Sequence, residues 1–506
     1  MTYITALYPE IFLSIAIFIQ LVWNIQQVIK ISKNNFPIVD VEAFYQTLFI
    51  LFCTIILVWD TKIESFDPAL LLIISKGTQT YKLFFLSACL FILPLVFRGF
   101  VAENLNFYEY FVLLSIYIFG SLFLFSANNL LVVFLALEIQ AFVLYTLTCF
   151  NRESAFGSEA ALKYFISGAF STGFFLLGCV FIYASIGSLD FTVLNSVLIW
   201  PFDDKFKFLE ALLLAGILLI NFTLLFKISS APFHSWAADV YDGAPLASTV
   251  IFSILPKIAI LGFFIKWISV CAPVWYTFKN IFLFLSILTV VIGTFSALAQ
   301  KRVKRLLVFS SIGQVGFMVA CLGSVSLNTL TALIFFIFIY VLTSTLIWGH
   351  LSLFYFFKQQ AEMIFPGVHL NSIFLTDLSN LVKRNRFWSF SFALAFMSLA
   401  GLPPLIGFLS KALILFSLVS ESNIMEIPIL LMLMALFSTY YYIRVVRLII
   451  FEPEVNHKLK TVSSYACNRL DLDYTILSFI TVFLLISFFY PTPFLLVGQY
   501  IVTVLI

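Results

Sequence analysis

A chain of 506 residues that is 62% hydrophobic and only 10% charged, with a mean hydropathy of +1.08, cannot cover a water-facing surface with polar groups. An average soluble protein is about a quarter charged, and a net charge of +3 is too small to point to a polyanion. Soluble enzymes, nucleic-acid-binding domains and disordered scaffolds are therefore excluded. Apolar stretches far longer than the two-residue alternation of a transmembrane barrel leave helices as the way to satisfy the backbone in lipid, so the expected fold is all-α and polytopic.

A bilayer core takes about 20 helical residues. With polar loops as separators, fourteen spans follow in chain order: Ile4 to Trp23, Phe44 to Trp59, Leu83 to Phe97, Tyr108 to Ala127, Leu130 to Cys149, Ala160 to Ile186, Leu212 to Tyr241 and Ala247 to Ile268. Trp275 to Ala299, Leu306 to Leu322, Leu327 to Phe357, Phe387 to Leu418, Ile427 to Phe451 and Tyr474 to Val502 complete the set. The first stretch holds no Lys or Arg before Lys30 and lacks the character of a signal or transit peptide, so it is expected to remain as a first helix. Cys53, Cys89, Cys149, Cys179, Cys271, Cys321 and Cys467 are scattered singly without ligand spacing. They read as small apolar residues, with no metal site, cluster or disulfide framework implied.

Loops after odd-numbered spans hold fifteen Lys and Arg, and loops after even-numbered spans with their edges, where Lys82 and Lys266 fall, hold seven. The positive-inside rule then places both termini on the outer side. Six basic residues remain in or at the ends of spans: Lys163, Lys227, Lys257, Lys411, Arg444 and Arg447.

Glu138 stands eight residues into its span, about 12 Å deep at 1.5 Å per residue. Lys257 is ten residues into its own, and Lys227 and Lys411 fall within spans of about thirty residues. A charge at the midplane costs at least about 2.5 to 3.5 kcal/mol. An acid and three bases at one depth are expected to form a chain of titratable sites, the plainer alternative being buried partners that only hold helices together. Arg444 and Arg447 read as snorkelling side chains. Lys163 reads equally as an interface anchor or a relay, Glu10 and Glu109 as interfacial carboxylates, and His350 as structural.

Two spans carry helix breakers near their middles: Pro232 after Ser229, Ser230 and Ala231, and Pro403 with Pro404 after Gly401. Free carbonyls at such breaks are tolerated only where they face protein or a wet cavity. The two broken spans cross in opposite directions, which is the layout of an inverted repeat. His234, after the first break and near Asp239 and Asp242, reads either as a proton feeder or as a hydrogen-bonded structural residue.

LALEIQAF around Glu138, EAALKYFISGAFSTGFFLLG from Glu159, FKISSAPFHSWAADVYDGAP from Phe226, LPKIAI, KRLLVFSSIGQVGFM from Lys304, AGLPPLIGFLSK and YYIRVVR resemble the antiporter-like membrane subunits of respiratory complex I. Among these the chain is most similar to the subunit 2 group, called subunit N in bacteria. The resemblance implies residues 1–107 as three N-terminal helices, 108–268 and 269–451 as two inverted five-helix repeats with one broken helix each, and 452–506 as a loop and last helix. It implies a proton relay in which Glu138 pairs with Lys227, Lys257 is central and Lys411 faces the exit or a neighbouring subunit, with Lys163 and His234 as weaker members. Gln314 departs from the family pattern, where many relatives have His, and would need a water chain beside it.

The expected function is proton translocation by a subunit of an NADH:ubiquinone oxidoreductase, a translocase. Its NADH, FMN, iron-sulfur clusters and quinone would be held by other subunits, with no cofactor or metal in this chain. Expected partners are further membrane-arm subunits on both flanks and lipid, with no nucleic acid. The Phe excess, suggesting an AT-rich genome, points to the mitochondrial inner membrane, with the bacterial plasma membrane as alternative. The rivals are an Mrp-type cation/proton antiporter subunit and a structural spacer without a working channel.

Overall fold

The computed structural model describes residues 7–30, 36–61, 71–103, 105, 107–151, 154–199, 207–364, 373–383, 385–422, 425–453 and 472–505. Lys33, Lys62, Arg152, Lys205, Arg384, Lys458, Lys460, Cys467 and Arg469 lie outside them. The first half holds α1 (Tyr8–Lys30), α2 (Phe36–Asp60), α3 (Lys76–Ala102), α4 (Glu109–Ser126), α5 (Leu130–Thr148), α6 (Ala155–Ile186), α7 (Phe191–Ile199), α8 (Lys207–Lys227), α9 (Ser235–Gly243) and α10 (Leu246–Val270). There follow α11 (Trp275–Leu298), α12 (Val303–Gly323), α13 (Leu327–Ile364), α14 (Arg386–Ala400), α15 (Ile406–Ser422), α16 (Glu426–Ile450), α17 (Leu472–Phe489) and α18 (Thr492–Leu505).

Among the described residues, twelve helices are long and apolar enough to cross a membrane, and the bent pair of α17 and α18 has the length and apolarity of one broken span or a re-entrant loop. The shorter apolar helices α14 and α15 fall where the twelfth span was expected, on either side of Pro403 and Pro404. The chain is a helical membrane protein. Its last span is not the single straight helix expected from hydropathy, since α17 and α18 meet at 86°. Pro491 at the junction lacks an N–H and disfavours the helical conformation in Tyr490, so the helix ends there.

Helix α3 starts well before the apolar run because Ser75 and Thr78 form a capping box: Thr78 N donates to Ser75 Oγ at 3.2 Å and Ser75 N to Thr78 Oγ1 at 2.9 Å. Lys82, expected at a loop edge, is thereby carried into the helix bundle, where it pairs directly with Glu10. Their exposures of 2% and 1% correct the expectation of an interfacial Glu10. Lys266 is likewise inside α10, donating to the Ala127 carbonyl at 2.6 Å and the Phe125 carbonyl at 3.2 Å, buried acceptors at the end of α4. Lys304 stands in the first turn of α12 and donates to the Ala244 carbonyl at 3.0 Å.

Helices cannot gain from apolar burial against lipid that is itself apolar, so close backbone approach has to hold them together. A Cβ on Gly178 of α6 would stand 2.9 Å from the Gly216 carbonyl of α8, and one on Gly293 of α11 would stand 2.5 Å from the Gly313 nitrogen of α12. Between these packed pairs runs α10, whose whole apolar window is buried and which carries Lys257. Pro256, inside α10, cannot donate to Phe252 one turn earlier; Tyr241 of α9 does so instead, at 2.8 Å.

Candidate functional site

The two proline breaks fall where the sequence places them and shape the surroundings of two lysines. At the first, α8 ends on Lys227, Ser229 takes a positive φ of 58°, and the Ser230 backbone and side chain both donate to the Leu225 carbonyl. At the second, Gly401 ends α14 with a φ of 81°, a left-handed conformation that glycine adopts without a Cβ penalty. Its N–H returns to Met397 and Ser398. The next two carbonyls, of Leu399 and Ala400, accept from Lys411 Nζ at 2.8 and 3.0 Å. The lysine of α15 thus satisfies the acceptors released by the break in front of it.

Lys257 is 3% exposed and Lys411 6%. Lys227 and Glu138 are partly buried. Lys227 Nζ donates to the carbonyl of Leu137, next to Glu138, at 3.4 Å, and the field of Glu138 reaches it, but the two do not form an ion pair. Lys227 opens on a cavity of about 30 Å3 whose wall includes Gln140, Tyr145, Tyr164, Trp236 and, from α10, Pro256 beside Lys257. Gln140 Nε2 and Trp236 Nε1 are buried there without protein partners, in a cavity large enough for a water molecule.

On the other side of α10, Lys257 Nζ donates to Tyr340 Oη of α13 at 3.0 Å, and Tyr340 Oη donates to the Ser253 carbonyl at 2.8 Å. Tyr340 also lines a cavity of about 10 Å3 shared with Gln314, Thr343, Ser398, Leu399 and Lys411. Gln314 Nε2 donates to the Leu399 carbonyl and to Tyr442 Oη, each at 3.3 Å. The fold therefore sets Lys257 and Lys411 on either side of Tyr340, while the Lys227 cavity reaches α10 at Pro256, the residue before Lys257. Tyr340 and Tyr442 were not anticipated, because a tyrosine in an aromatic-rich chain carries no local signal.

Lys163 is 46% exposed and bonded to Glu159 at 2.8 Å and Asp239 at 3.1 Å, so it belongs to a surface network rather than the buried line. Arg305 bridges Asp239 at 3.1 Å and Asp242 at 2.9 Å, and Arg302 reaches Asp242 at 2.6 Å. These residues, with Glu103 and Lys304, surround a cavity of about 410 Å3 at the end of the bundle where the basic loops were assigned inward. Burial raises the Glu103 carboxyl above the ordinary range, against the nearby Lys304 and the Leu246 N–H that donates to it at 2.8 Å. His234 stands at the start of α9 with Nδ1 buried and unpartnered. His350 has the partner that the sequence did not reveal, Ser391 Oγ at 3.0 Å from Nε2, and packs on Trp388 and Phe392. Arg444 and Arg447 are exposed, the latter 3.5 Å from Glu452.

The family described as NADH:quinone oxidoreductase/Mrp antiporter, TM, matches residues 127–439, a stretch that contains all four buried-line candidates. The NADH-ubiquinone oxidoreductase chain 2 of Marchantia polymorpha is 33% identical over 499 residues, covering 97% of this chain and 96% of the relative. The NADH-quinone oxidoreductase subunit N of Pelagibacter ubique is 30% identical over 493 residues, covering 96% of each. A chain in the structure of respiratory complex I from Thermus thermophilus with bound aureothin shares the fold, with a TM-score of 0.72 at 24% identity over 96% of this chain and 98% of that one. The chain belongs to the family of NADH-quinone oxidoreductase subunit N and NADH-ubiquinone oxidoreductase chain 2.

Proposed function

We propose that this chain is a proton-translocating membrane-arm subunit of an NADH:quinone oxidoreductase, with further membrane subunits on its flanks and the redox groups held elsewhere. The single observation that supports this reading best is the buried line from Lys227 through the first cavity to α10, and from Lys257 through Tyr340 and the second cavity to Lys411. A line of titratable groups across the bundle is suited to moving protons. Glu138 tunes Lys227 through its field, Lys257 is the central carrier and Lys411 the terminal one. Lys163 and His234 act in proton supply from the inward network.

The two halves 108–268 and 269–451 each supply one broken helix and one terminal lysine, as an antiporter-like repeat would, flanked by 1–107 and 452–506. The membrane is the mitochondrial inner membrane, or the plasma membrane in a bacterial setting. Electron transfer outside the chain would alter the Glu138/Lys227 interaction; one unit charge about 10 Å away is worth about 1.7 kcal/mol at an effective dielectric of about 20. Moving a proton against the potential costs about 2.3 kcal/mol per 100 mV, so the two quantities are comparable.

The test replaces Lys257 by Met in the intact oxidoreductase sealed in vesicles. The complex should assemble, while the number of protons moved per electron and the coupled quinone reduction rate fall. A wild-type ratio in an assembled Lys257→Met complex would leave the chain a spacer. Sodium-driven proton flux by the purified chain alone would favour the Mrp-type alternative.

A further inference from the structure

Tyr340 stands between the central and terminal lysines and contacts both environments. Its hydroxyl is 3.0 Å from Lys257 Nζ and 2.8 Å from the Ser253 carbonyl, and its side chain walls the cavity that reaches Lys411. An ammonium group has only donors and a carbonyl only acceptor sites, so Tyr340 accepts from Lys257 and gives its own proton to Ser253. In that arrangement no proton passes onward, because the phenolic O–H points at a carbonyl that cannot hand it on.

The cavity beyond is about 10 Å3, the lower bound for one water molecule. Its wall carries Ser398 Oγ, buried and without a protein partner, together with the Lys411 and Gln314 side chains. These are the two or more polar groups that hold a single water. Gln314, which cannot itself carry a proton, is placed to orient that water through its amide rather than to replace it.

We propose that Tyr340 is a proton gate between Lys257 and Lys411, an inference that rests on the relay reading above. Rotation about the Cζ–Oη bond turns the O–H from Ser253 toward the cavity. Lys257 then gives one proton to Tyr340 Oη as the phenolic proton passes to the water, and the water delivers one proton to neutral Lys411. One proton enters and one leaves, the tyrosine ends as a neutral phenol whose O–H then turns back to the Ser253 carbonyl, and nothing is oxidised or reduced. Gating by one bond rotation keeps the two lysines from exchanging protons freely, which a continuous water file would permit.

The experiment is Tyr340→Phe in the intact oxidoreductase in sealed vesicles, beside Lys257→Met. Phe keeps the ring and removes only the hydroxyl. Coupled quinone reduction should slow by roughly 10²-fold, the low end of what a positioned proton-transfer group contributes, and the proton-to-electron ratio should fall while assembly is retained. Ser398→Val, which fills the cavity without touching the Lys257 bond, should lower the same ratio and decides the matter if Tyr340→Phe does not assemble. A wild-type ratio and rate in Tyr340→Phe, or in Ser398→Val where that variant decides, with Lys257→Met impaired, overturns the gate alone. Wild-type behaviour in all three overturns the relay beneath it.

Discussion

Replacing Lys82 by Met should destabilise the protein by leaving Glu10 charged and alone in the bundle. Both side chains are nearly inaccessible, at 2% and 1% exposure, and the second carboxylate oxygen of Glu10 has no donor among the described residues. Two unit charges about 4 Å apart at an effective dielectric of about 20 attract by about 4 kcal/mol. Removing one partner of a buried pair costs about 3 to 5 kcal/mol, whereas replacing both by apolar groups of similar volume is about neutral or stabilising. The assay is thermal release of this subunit from the purified complex, followed by native electrophoresis. Lys82→Met alone should raise the ratio of released to retained subunit at a fixed temperature about 150-fold, the equivalent of about 3 kcal/mol, and adding Glu10→Leu should restore it. If Lys82→Met behaves as wild type, or if the double variant is worse than either single one, the pair is not the buried, mutually dependent unit described.

Gly178→Leu should cost about 1 to 3 kcal/mol through the backbone of Gly216, because the added Cβ would stand 2.9 Å from its carbonyl oxygen; a lowered release temperature checks it, and an unchanged one would mean that α6 and α8 can separate freely. Glu103 tests the pH dependence. Its carboxyl is raised by burial, so the folded chain binds this proton more tightly than the unfolded one. The contribution is present below the ordinary carboxylate range and is lost as pH rises through the folded value. Glu103→Gln, which keeps an acceptor for the Leu246 N–H, should flatten the fall in stability with rising pH, and identical pH profiles would count against it.

The sequence exposed the breaks because proline and glycine act locally: Pro232, and Gly401 with Pro403 and Pro404, end their helices whatever surrounds them. Lys227, Lys257 and Lys411 stood out for an equally local reason, the cost of a charge inside an apolar run. Glu10 and Lys82 did not, since each lies near a helix end where a charge is ordinary, and only the capping box at Ser75 and the packing of α1 on α2 and α4 bury them together. The bend at Pro491 was missed because the apolar run continues through it.

By itself, the order of residues determined that the chain lives in lipid, that it does so as helices, where two of those helices break and which buried charges need explaining. Each of these follows from solvation and backbone geometry within a few turns of helix. Only the tertiary structure decided what those charges touch. Tyr340 meets Lys257 across 83 positions of chain and Lys82 meets Glu10 across 72, contacts set by which helix faces pack and not by any neighbour in sequence. The same holds for the cavities: a void the size of a water is what several side chains fail to fill together, and none of them carries that information alone.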